Sequence, residues 1–218
     1  MEIRSFDGQV LKSEPLPSPE RQVGPATMAG GTIIAFRGER LEFANLLAPA
    51  ISWRSRPVCR GAARSLRLVS NSRDTVVAMD MCSGSGCVLP LSDRPSADFT
   101  LESPRLSLSR AKIEERQAQV ASSPSRNILL LGALAISESD ELITFLLPYE
   151  RSIGLRVESF GLNGFSRRSF DCILPDMFRF VPAVMFASDG ELLLIAPEGA
   201  AAAYEPIDCR RPYRTEEN

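Results

Sequence analysis

The sequence contains no histidine among its 218 residues. Histidine is the side chain that most often acts as a general base near neutral pH, and it is the commonest metal ligand in proteins. Its absence excludes the usual serine-hydrolase triad and any mechanism that moves a proton through an imidazole. No metal site is expected on these grounds.

Lysine is scarce as well, since Lys12 and Lys112 are the only lysines and all other basic residues are arginines. The formal net charge is -2 and the isoelectric point lies near 5.4. Binding to a nucleic-acid backbone needs a concentrated basic surface. Nucleic acid is therefore not an expected partner.

Cysteines are few and widely spaced: Cys59, Cys82, Cys87, Cys172 and Cys209. Their number is odd and no pair has the CxxC spacing, so the sequence predicts neither a disulfide framework nor a zinc site. Reduced thiols in a cytoplasmic protein are the expectation. The polar, proline-rich residues 1–21 do not resemble a signal peptide, and the apolar run 128–136 is too short to span a bilayer.

Composition divides the chain into four predicted parts. They are a flexible N-terminal arm (1–30), a small N-terminal subdomain (31–72), a main domain (73–200) and a C-terminal tail (201–218). The arm is rich in proline, serine and glycine. In the subdomain, a hairpin that turns at Arg37-Gly38-Glu39 is followed by a helix within 57–68. No internal repeat is found.

Continuous apolar runs without alternation characterise the main domain. They are Thr75–Met81, Asn127–Leu134, Glu141–Leu147 and Gly190–Ala196. Helices are predicted over Pro104–Ala121, capped by Ser103, and over Phe170–Phe180. Apolar strands separated by helices are typical of a parallel sheet covered on both faces. The sequence thus predicts an α/β fold with a doubly wound, mainly parallel sheet and a small N-terminal attachment.

The most informative segment is a glycine-rich turn that follows the first of these runs, MDMCSGSGC at 79–87. Gly84 and Gly86 permit unusual backbone angles and a close approach by ligand atoms. Asp80 is suited to hold a cationic amine, and N–H groups at the start of a following helix are suited to bind a carboxylate. The segment therefore favours an amino-acid-bearing cofactor such as S-adenosylmethionine. The alternative is a tight connection in which Asp80 caps the turn.

This turn resembles motif I of the class I S-adenosylmethionine-dependent methyltransferases, and is most similar to the branch of protein-(glutamine-N5) methyltransferases that modify release factors. Order and spacing follow that branch over roughly residues 75–197. The resemblance implies a Rossmann-like fold with S-adenosylmethionine as the cofactor. It implies a cofactor site made of the residues Asp80, Cys82, Gly84, Gly86 and Glu102.

In the same branch, an N-P-P-Y signature forms the acceptor pocket, and Pro148 and Tyr149 match its last two positions. They are the predicted catalytic residues. Three positions depart from the family pattern. Leu101 and Ala133 replace acids that contact the cofactor, and Leu146 replaces the asparagine that positions the acceptor amide. The departures favour a small-molecule acceptor over a release-factor glutamine.

Two functions follow from these observations. The first is a methyltransferase that acts on a small-molecule or protein acceptor, and the second is a non-catalytic methyltransferase-like module for binding or interaction. The run Gly190–Ala196 is expected to form an uncovered edge strand, because little chain follows it that is able to cover it. A second copy of the chain, giving a homodimer, or a partner subunit is predicted to cover this edge, and the alternative is that residues 31–68 fold back over it.

Overall fold

The computed structural model describes residues 2–4, 10–13, 23–37, 40–50, 52–57, 59, 65–91, 95–119, 129–146, 154–173, 184–188, 191–195 and 204–206. In this part of the chain, strands predominate and every strand ladder is antiparallel. Within the same residues, no helix is long and apolar enough to cross a membrane.

The strands form consecutive meanders in which each strand pairs with the next one along the chain. A short hairpin comes first, β1 (Glu2–Arg4) and β2 (Val10–Ser13). Sheet I consists of β3 (Val23–Ala29), β4 (Thr32–Arg37), β5 (Arg40–Asn45) and β6 (Trp53–Pro57). Sheet II consists of β7 (Leu66–Ser70), β8 (Val76–Asp80), β9 (Ser85–Leu89) and β10 (Ala97–Thr100).

The helix α1 (Pro104–Gln119) connects sheet II to sheet III. Sheet III consists of β11 (Leu131–Ile136), β12 (Leu142–Leu146), β13 (Gly154–Phe160) and β14 (Ser166–Ile173). Sheet IV consists of β15 (Val184–Ser188), β16 (Glu191–Ile195) and β17 (Tyr204–Pro206). The predicted helix at 104–121 is confirmed, and the Ser103 hydroxyl caps it by accepting the Leu106 N–H at 3.1 Å.

The sheets follow one another side by side. The first strand of each sheet contacts the first strand of the next, since β3 contacts β7, β7 contacts β11 and β11 contacts β15. Apolar side chains fill the space between sheets I and II, and a second apolar cluster fills the space between sheets II and III. Consecutive four-stranded antiparallel sheets in this arrangement are typical of a β-propeller.

The predicted doubly wound parallel sheet is therefore wrong, and β8 gives the physical reason. All five residues of β8 are buried. Val76 and Ala78 belong to the cluster shared with sheet I, whereas Val77 and Met79 belong to the cluster shared with sheet III. A blade of a propeller is covered on both faces by its neighbours, as a parallel sheet is covered by helices. Both environments select continuous apolar strands.

Two predicted helices are also corrected. The segment 57–68 begins with the end of β6 and finishes inside β7, while residues 60–64 lie outside the described residues. Phe170–Ile173 is the end of β14, and the rest of the predicted helix up to Phe180 lies outside the described residues. The predicted hairpin of the N-terminal subdomain is confirmed as β4 and β5, which pair from Thr32↔Asn45 to Arg37↔Arg40.

The predicted domain limits stay a prediction, and the strands lie as follows relative to them. The limit between residues 72 and 73 lies in the turn between β7 and β8, which pair from Leu66↔Asp80 to Ser70↔Val76. The predicted arm, residues 1–30, includes the strands β1, β2 and β3.

A short sequence repeat occurs at the same position in each sheet. It becomes recognisable only when the segments are aligned by their strands. A related segment begins at or just after the end of each first strand: AGGTII at 29–34, SRDTVV at 72–77, ESDELI at 138–143 and SDGELL at 188–193. The third residue of the first three segments has a positive φ, namely 68° at Gly31, 64° at Asp74 and 58° at Asp140. Glycine and aspartate tolerate this backbone conformation better than most residues. The repeat is therefore a turn signal followed by an apolar strand.

Candidate functional site

The glycine-rich turn connects β8 to β9, and Asp80 organises it. One Asp80 carboxylate oxygen accepts the Cys82 N–H at 3.1 Å, and the other accepts the Ser83 hydroxyl at 2.8 Å. The Asp80 carbonyl accepts the Gly84 N–H at 2.8 Å. Asp80 thus acts as the cap of a tight connection, which is the alternative weighed above.

The space beside the two glycines is occupied by the chain itself. Gly84 has a φ of 71°, and a Cβ placed there would lie 3.2 Å from Nη2 of Arg110. The same Nη2 donates to the carbonyls of Ser83 and Leu101, each at 2.9 Å. A Cβ at Gly86 would lie 2.5 Å from the backbone carbonyl oxygen of Ala78. These glycines allow close approach by protein atoms.

The other predicted site residues do not all lie in this turn. Cys82 lies in the same turn and is half-buried. Glu102 is exposed and its backbone forms a bridge with Phe165 of sheet III. Leu101 and Ala133 are buried in the apolar interior. The predicted catalytic residues, Pro148 and Tyr149, lie outside the described residues.

The structure therefore brings Asp80, Cys82, Gly84 and Gly86 together in one turn, with Leu101 against it through its N–H to the Gly84 carbonyl at 2.9 Å. No Rossmann-type helix follows the turn, because β9 comes directly after it. The helix N-terminus that was expected to bind the carboxylate of S-adenosylmethionine is therefore absent here, and this cofactor stays a prediction.

A different surface is formed by the turns of the repeat. Asn71 donates from Nδ2 to the Ser137 carbonyl at 2.9 Å and to Oδ1 of Asp140 at 2.8 Å. Its Oδ1 accepts the N–H groups of Arg73 and Thr75 at 3.1 and 3.0 Å. Asn71 is buried, so one amide side chain links the turn of sheet II to the turn of sheet III.

The corresponding turn of sheet I lies against the same region. A Cβ at Gly30 would lie 3.0 Å from Oδ2 of Asp74. The Ser70 hydroxyl donates to the Met28 carbonyl at 2.7 Å, which connects β7 to β3. We call the turns 30–31, 71–75 and 137–141, together with Met28 and Leu47, the turn face.

Two large apolar side chains are exposed on the turn face. Met28 has 62% of its surface exposed and Leu47 has 79%. Leu47 lies over the turn of sheet I, because a Cβ at Gly31 would lie 2.5 Å from its Cδ1. Sequence analysis did not single out either residue. The repeated segments at 29–34, 72–77 and 138–143 are the sequence signal that marks the neighbouring turns.

Two buried carboxylates of sheet III accept hydrogen bonds, and one of them, Glu158, also binds Ser103 at the start of α1. Glu158, which is 3% exposed, accepts the Ser103 hydroxyl at 2.9 Å and the Ser166 hydroxyl at 2.7 Å. Glu141 accepts the Ser159 hydroxyl at 2.5 Å, and Arg168 forms a salt bridge with it at 3.3 Å. Each carboxylate has partners, as buried charged groups require.

The prediction of reduced cysteines is wrong for Cys59 and Cys87. Cys59 and Cys87 form a disulfide, with their Cα atoms 6.0 Å apart. A carboxylate oxygen of Asp98 and the two sulfur atoms all lie within 4.8 Å of one another. Asp98 is the cross-strand partner of Cys87.

No protein-family model and no curated protein sequence matches the chain. Solved structures share its fold at low sequence identity. The computationally designed Ika4 protein has a TM-score of 0.51 and 11% identity, with 90% of this chain and 98% of that chain covered. A catalytically inactive histidine-to-alanine variant of virginiamycin B lyase from Staphylococcus aureus, solved with quinupristin, has a TM-score of 0.53 and 11% identity over 94% of this chain.

A streptogramin B lyase has a TM-score of 0.51 and 10% identity over 96% of this chain. The chain spans 61% of the length of each of these two lyases. The lyases are of the β-propeller type, in agreement with the antiparallel sheets described above. The resemblance to class I methyltransferases and the Rossmann-like fold that it implied are therefore wrong, and so is the predicted methyltransferase activity.

Proposed function

We propose that the protein is a non-catalytic binding module and that its partner is a protein that docks on the turn face. The observation that carries this proposal is the exposure of Met28 and Leu47 beside three turns that are tied to one another. Large apolar side chains exposed on a rigid surface favour association with another protein.

The buried acids provide a second argument. In the described part of the chain, Asp80, Glu141 and Glu158 are the buried acids, and all three are engaged in hydrogen bonds within the protein. Their hydrogen bonds stabilise a turn and the packing of neighbouring elements. A general acid or base instead needs a position from which it reaches a substrate.

One histidine is needed for catalysis in the lyase neighbour. The variant solved with quinupristin, in which this histidine is replaced by alanine, is catalytically inactive. The present sequence has no histidine. The shared fold therefore supports a common scaffold, and it gives no support for lyase chemistry in this chain.

Rigidity favours binding at the turn face. The Asn71 side chain joins the turns of sheets II and III, and the Ser70 hydroxyl joins β7 to the Met28 carbonyl. A surface that is already ordered loses little conformational entropy when a partner binds. A cytoplasmic location and the absence of nucleic-acid and membrane partners remain part of the proposal.

The homodimer was predicted from an uncovered edge strand, and the structure gives no such strand at this place. Its proposed edge strand, β16, pairs with β15 on one side and with β17 on the other. Backbone groups of this strand are consequently used within sheet IV. A second copy of the chain is a possible occupant of the turn face, and light scattering of the purified protein distinguishes it from a different partner.

The test compares capture by three immobilised proteins from an extract of the producing cells, followed by quantitative mass spectrometry. The proteins are the wild type, a Met28→Asp, Leu47→Asp double variant and a Leu108→Asp control. Leu108 is 66% exposed but lies on α1. We expect a partner that the wild type and the control retain and that the double variant loses. Calorimetry with the purified partner then measures the change in Kd.

Replacing two contact side chains by aspartate should weaken binding by roughly a hundredfold, as for central residues of an interface. Equal binding by the double variant and the wild type would refute the turn face as the docking surface. Circular dichroism of all three proteins shows whether the folds are the same. A turnover of substrate that depends on Asp80 or Glu158 in the folded protein would contradict the non-catalytic assignment.

A further inference from the structure

The disulfide joins two different sheets. Cys59 follows the end of β6 at Pro57, so it belongs to the last part of sheet I. Cys87 is the central residue of β9 in sheet II. The bond thus closes a loop with a sequence separation of 28 residues. Cutting it would leave sheets I and II connected only by the chain between them and by non-covalent contacts.

The bond lies within the apolar cluster that fills this junction. Cys87 is fully buried and Cys59 is 8% exposed. Both belong to the same cluster as Ile34, Leu41 and Leu68. Because thiol–disulfide exchange needs a direct approach to a sulfur atom, burial slows reduction of the bond in the native protein.

One side of the disulfide is nevertheless close to solvent. Asp98 lies opposite Cys87 on β10, is exposed, and places a carboxylate oxygen within 4.8 Å of both sulfur atoms. A reducing thiol attacks as the thiolate. A carboxylate at this entrance repels an approaching thiolate, which further protects the bond.

Polar contacts also connect sheets I and II, but they lie at the periphery of the apolar cluster. Arg56 donates from Nη1 to the Pro90 carbonyl at 3.2 Å, and Thr27 hydrogen-bonds Ser70 at 2.7 Å. Helix α1 packs in the other cluster, through Leu106 and Ile113. The disulfide is therefore the strongest single connection at this junction.

We propose that the Cys59–Cys87 disulfide is a reversible staple that holds sheet I against sheet II and that its reduction loosens sheet I. A small-molecule thiol or a protein dithiol supplies two electrons and two protons. Two thiols are formed from the disulfide, and the reductant becomes a disulfide in turn. Cytoplasmic disulfides are rare, and those present usually sense redox state; in the predicted cytoplasmic location, burial and Asp98 would therefore make reduction of this bond slow but not prevent it.

Hydrogen exchange measured by mass spectrometry tests this proposal on the full chain without any substitution. Protein purified without reductant is compared with protein treated with a dithiol. After reduction, we expect amide protection to fall by at least tenfold in β3–β6 and to stay unchanged in β11–β14. Peptide mapping under denaturing conditions should find Cys59 linked to Cys87 before treatment and two alkylated thiols after it.

Two variants sharpen the result. Cys59→Ser should reproduce the loss of protection and lower the Tm by roughly 10 °C, as expected for a loop of this size. The matched control is Cys82→Ser, because this cysteine is outside the disulfide. Asp98→Asn should accelerate reduction by roughly fivefold at low ionic strength, since one unit charge is removed.

Equal protection of β3–β6 in the oxidised and reduced proteins would overturn the proposal. It would also be overturned if the purified protein had both thiols alkylated without prior reduction. Stoichiometric binding of Zn²⁺ by the reduced wild type, lost in Cys59→Ser and in Asp98→Asn, would replace the staple by a metal site. If Cys59→Ser does not fold, the comparison of oxidised and reduced wild type decides by itself.

Discussion

Sheet II forms one junction with sheet I and a second junction with sheet III, and the two junctions are stabilised differently. Apolar side chains fill both. The first junction adds a disulfide between Cys59 and Cys87. The second adds helix α1 and a buried carboxylate, Glu158, that accepts two serine hydroxyls. One fold therefore joins its neighbouring sheets covalently in one place and by hydrogen bonds in the other.

The difference matters because the two connections respond to different conditions. A disulfide is sensitive to reductant, and a nearby substitution changes the rate of its reduction without breaking the bond. A buried carboxylate depends on each of its donors, since the loss of one leaves a polar group unsatisfied. We expect reductant to affect the first junction and side-chain substitutions in the carboxylate network to affect the second.

The substitution with the largest expected effect should disrupt both junctions at once. In Gly86→Val, the new Cβ would lie 2.5 Å from the Ala78 carbonyl oxygen, within the pairing of β8 and β9. Backbone must move, and we expect destabilisation of about 4 kcal/mol or more, because sheet II contributes to both apolar clusters. Urea denaturation followed by circular dichroism measures it.

The matched control is Ser85→Val, at the neighbouring residue of the same strand. Its hydroxyl contacts only Thr100 among the hydrogen bonds described, at 3.3 Å, and valine is favoured in strands. We expect its stability to change by less than about 1 kcal/mol. A Gly86→Val protein with the wild-type denaturation midpoint would show that the close approach to Ala78 is not a constraint.

A smaller effect should be limited to the second junction. Glu158→Ala leaves the Ser103 and Ser166 hydroxyls without their acceptor and opens a cavity, which should cost about 3 kcal/mol. Glu158→Gln retains an acceptor oxygen and should lose roughly half of this. The exposed Glu102→Ala is the control and should change stability by less than about 0.5 kcal/mol.

Thermal unfolding of these variants with and without a dithiol tests whether the junctions are separate. The loss caused by Glu158→Ala should be the same in both conditions, because distant sites contribute additively. A loss that disappears after reduction would mean that the two junctions act as one unit, which would remove the contrast between them.

The smallest effect concerns the turns at the ends of the two junctions. Asp74→Gly should stabilise the protein by about 0.5 kcal/mol, because glycine adopts a φ of 64° without steric cost. Asp140→Gly gains the same relief but loses the hydrogen bond from Asn71, so its net effect should be about 1 kcal/mol less favourable. Chemical denaturation measured in parallel compares the pair, and equal stabilities would show that the Asn71 bond contributes nothing.

Local structure was predictable wherever the signal lay within a few residues. The helix beginning at Pro104 has a serine cap before it, and the hairpin of β4 and β5 has a glycine between two apolar segments. The segments that form β8, β12 and β16 were also recognised as strands. The candidate site was not predictable in the same way. Met28 and Leu47 become neighbours of the turns only after the sheets pack.

The sequence by itself determined that the segments of β4, β5, β8, β12 and β16 become strands and that α1 begins at Pro104. The tertiary structure decided what covers the strands. Val76–Met79 is apolar throughout in either case, because a strand buried on both faces shows the same pattern under helices as between two sheets. Likewise, the spacing of Cys59 and Cys87 along the chain gives no indication of their bond, since only the packing of sheet I on sheet II brings the two sulfur atoms together.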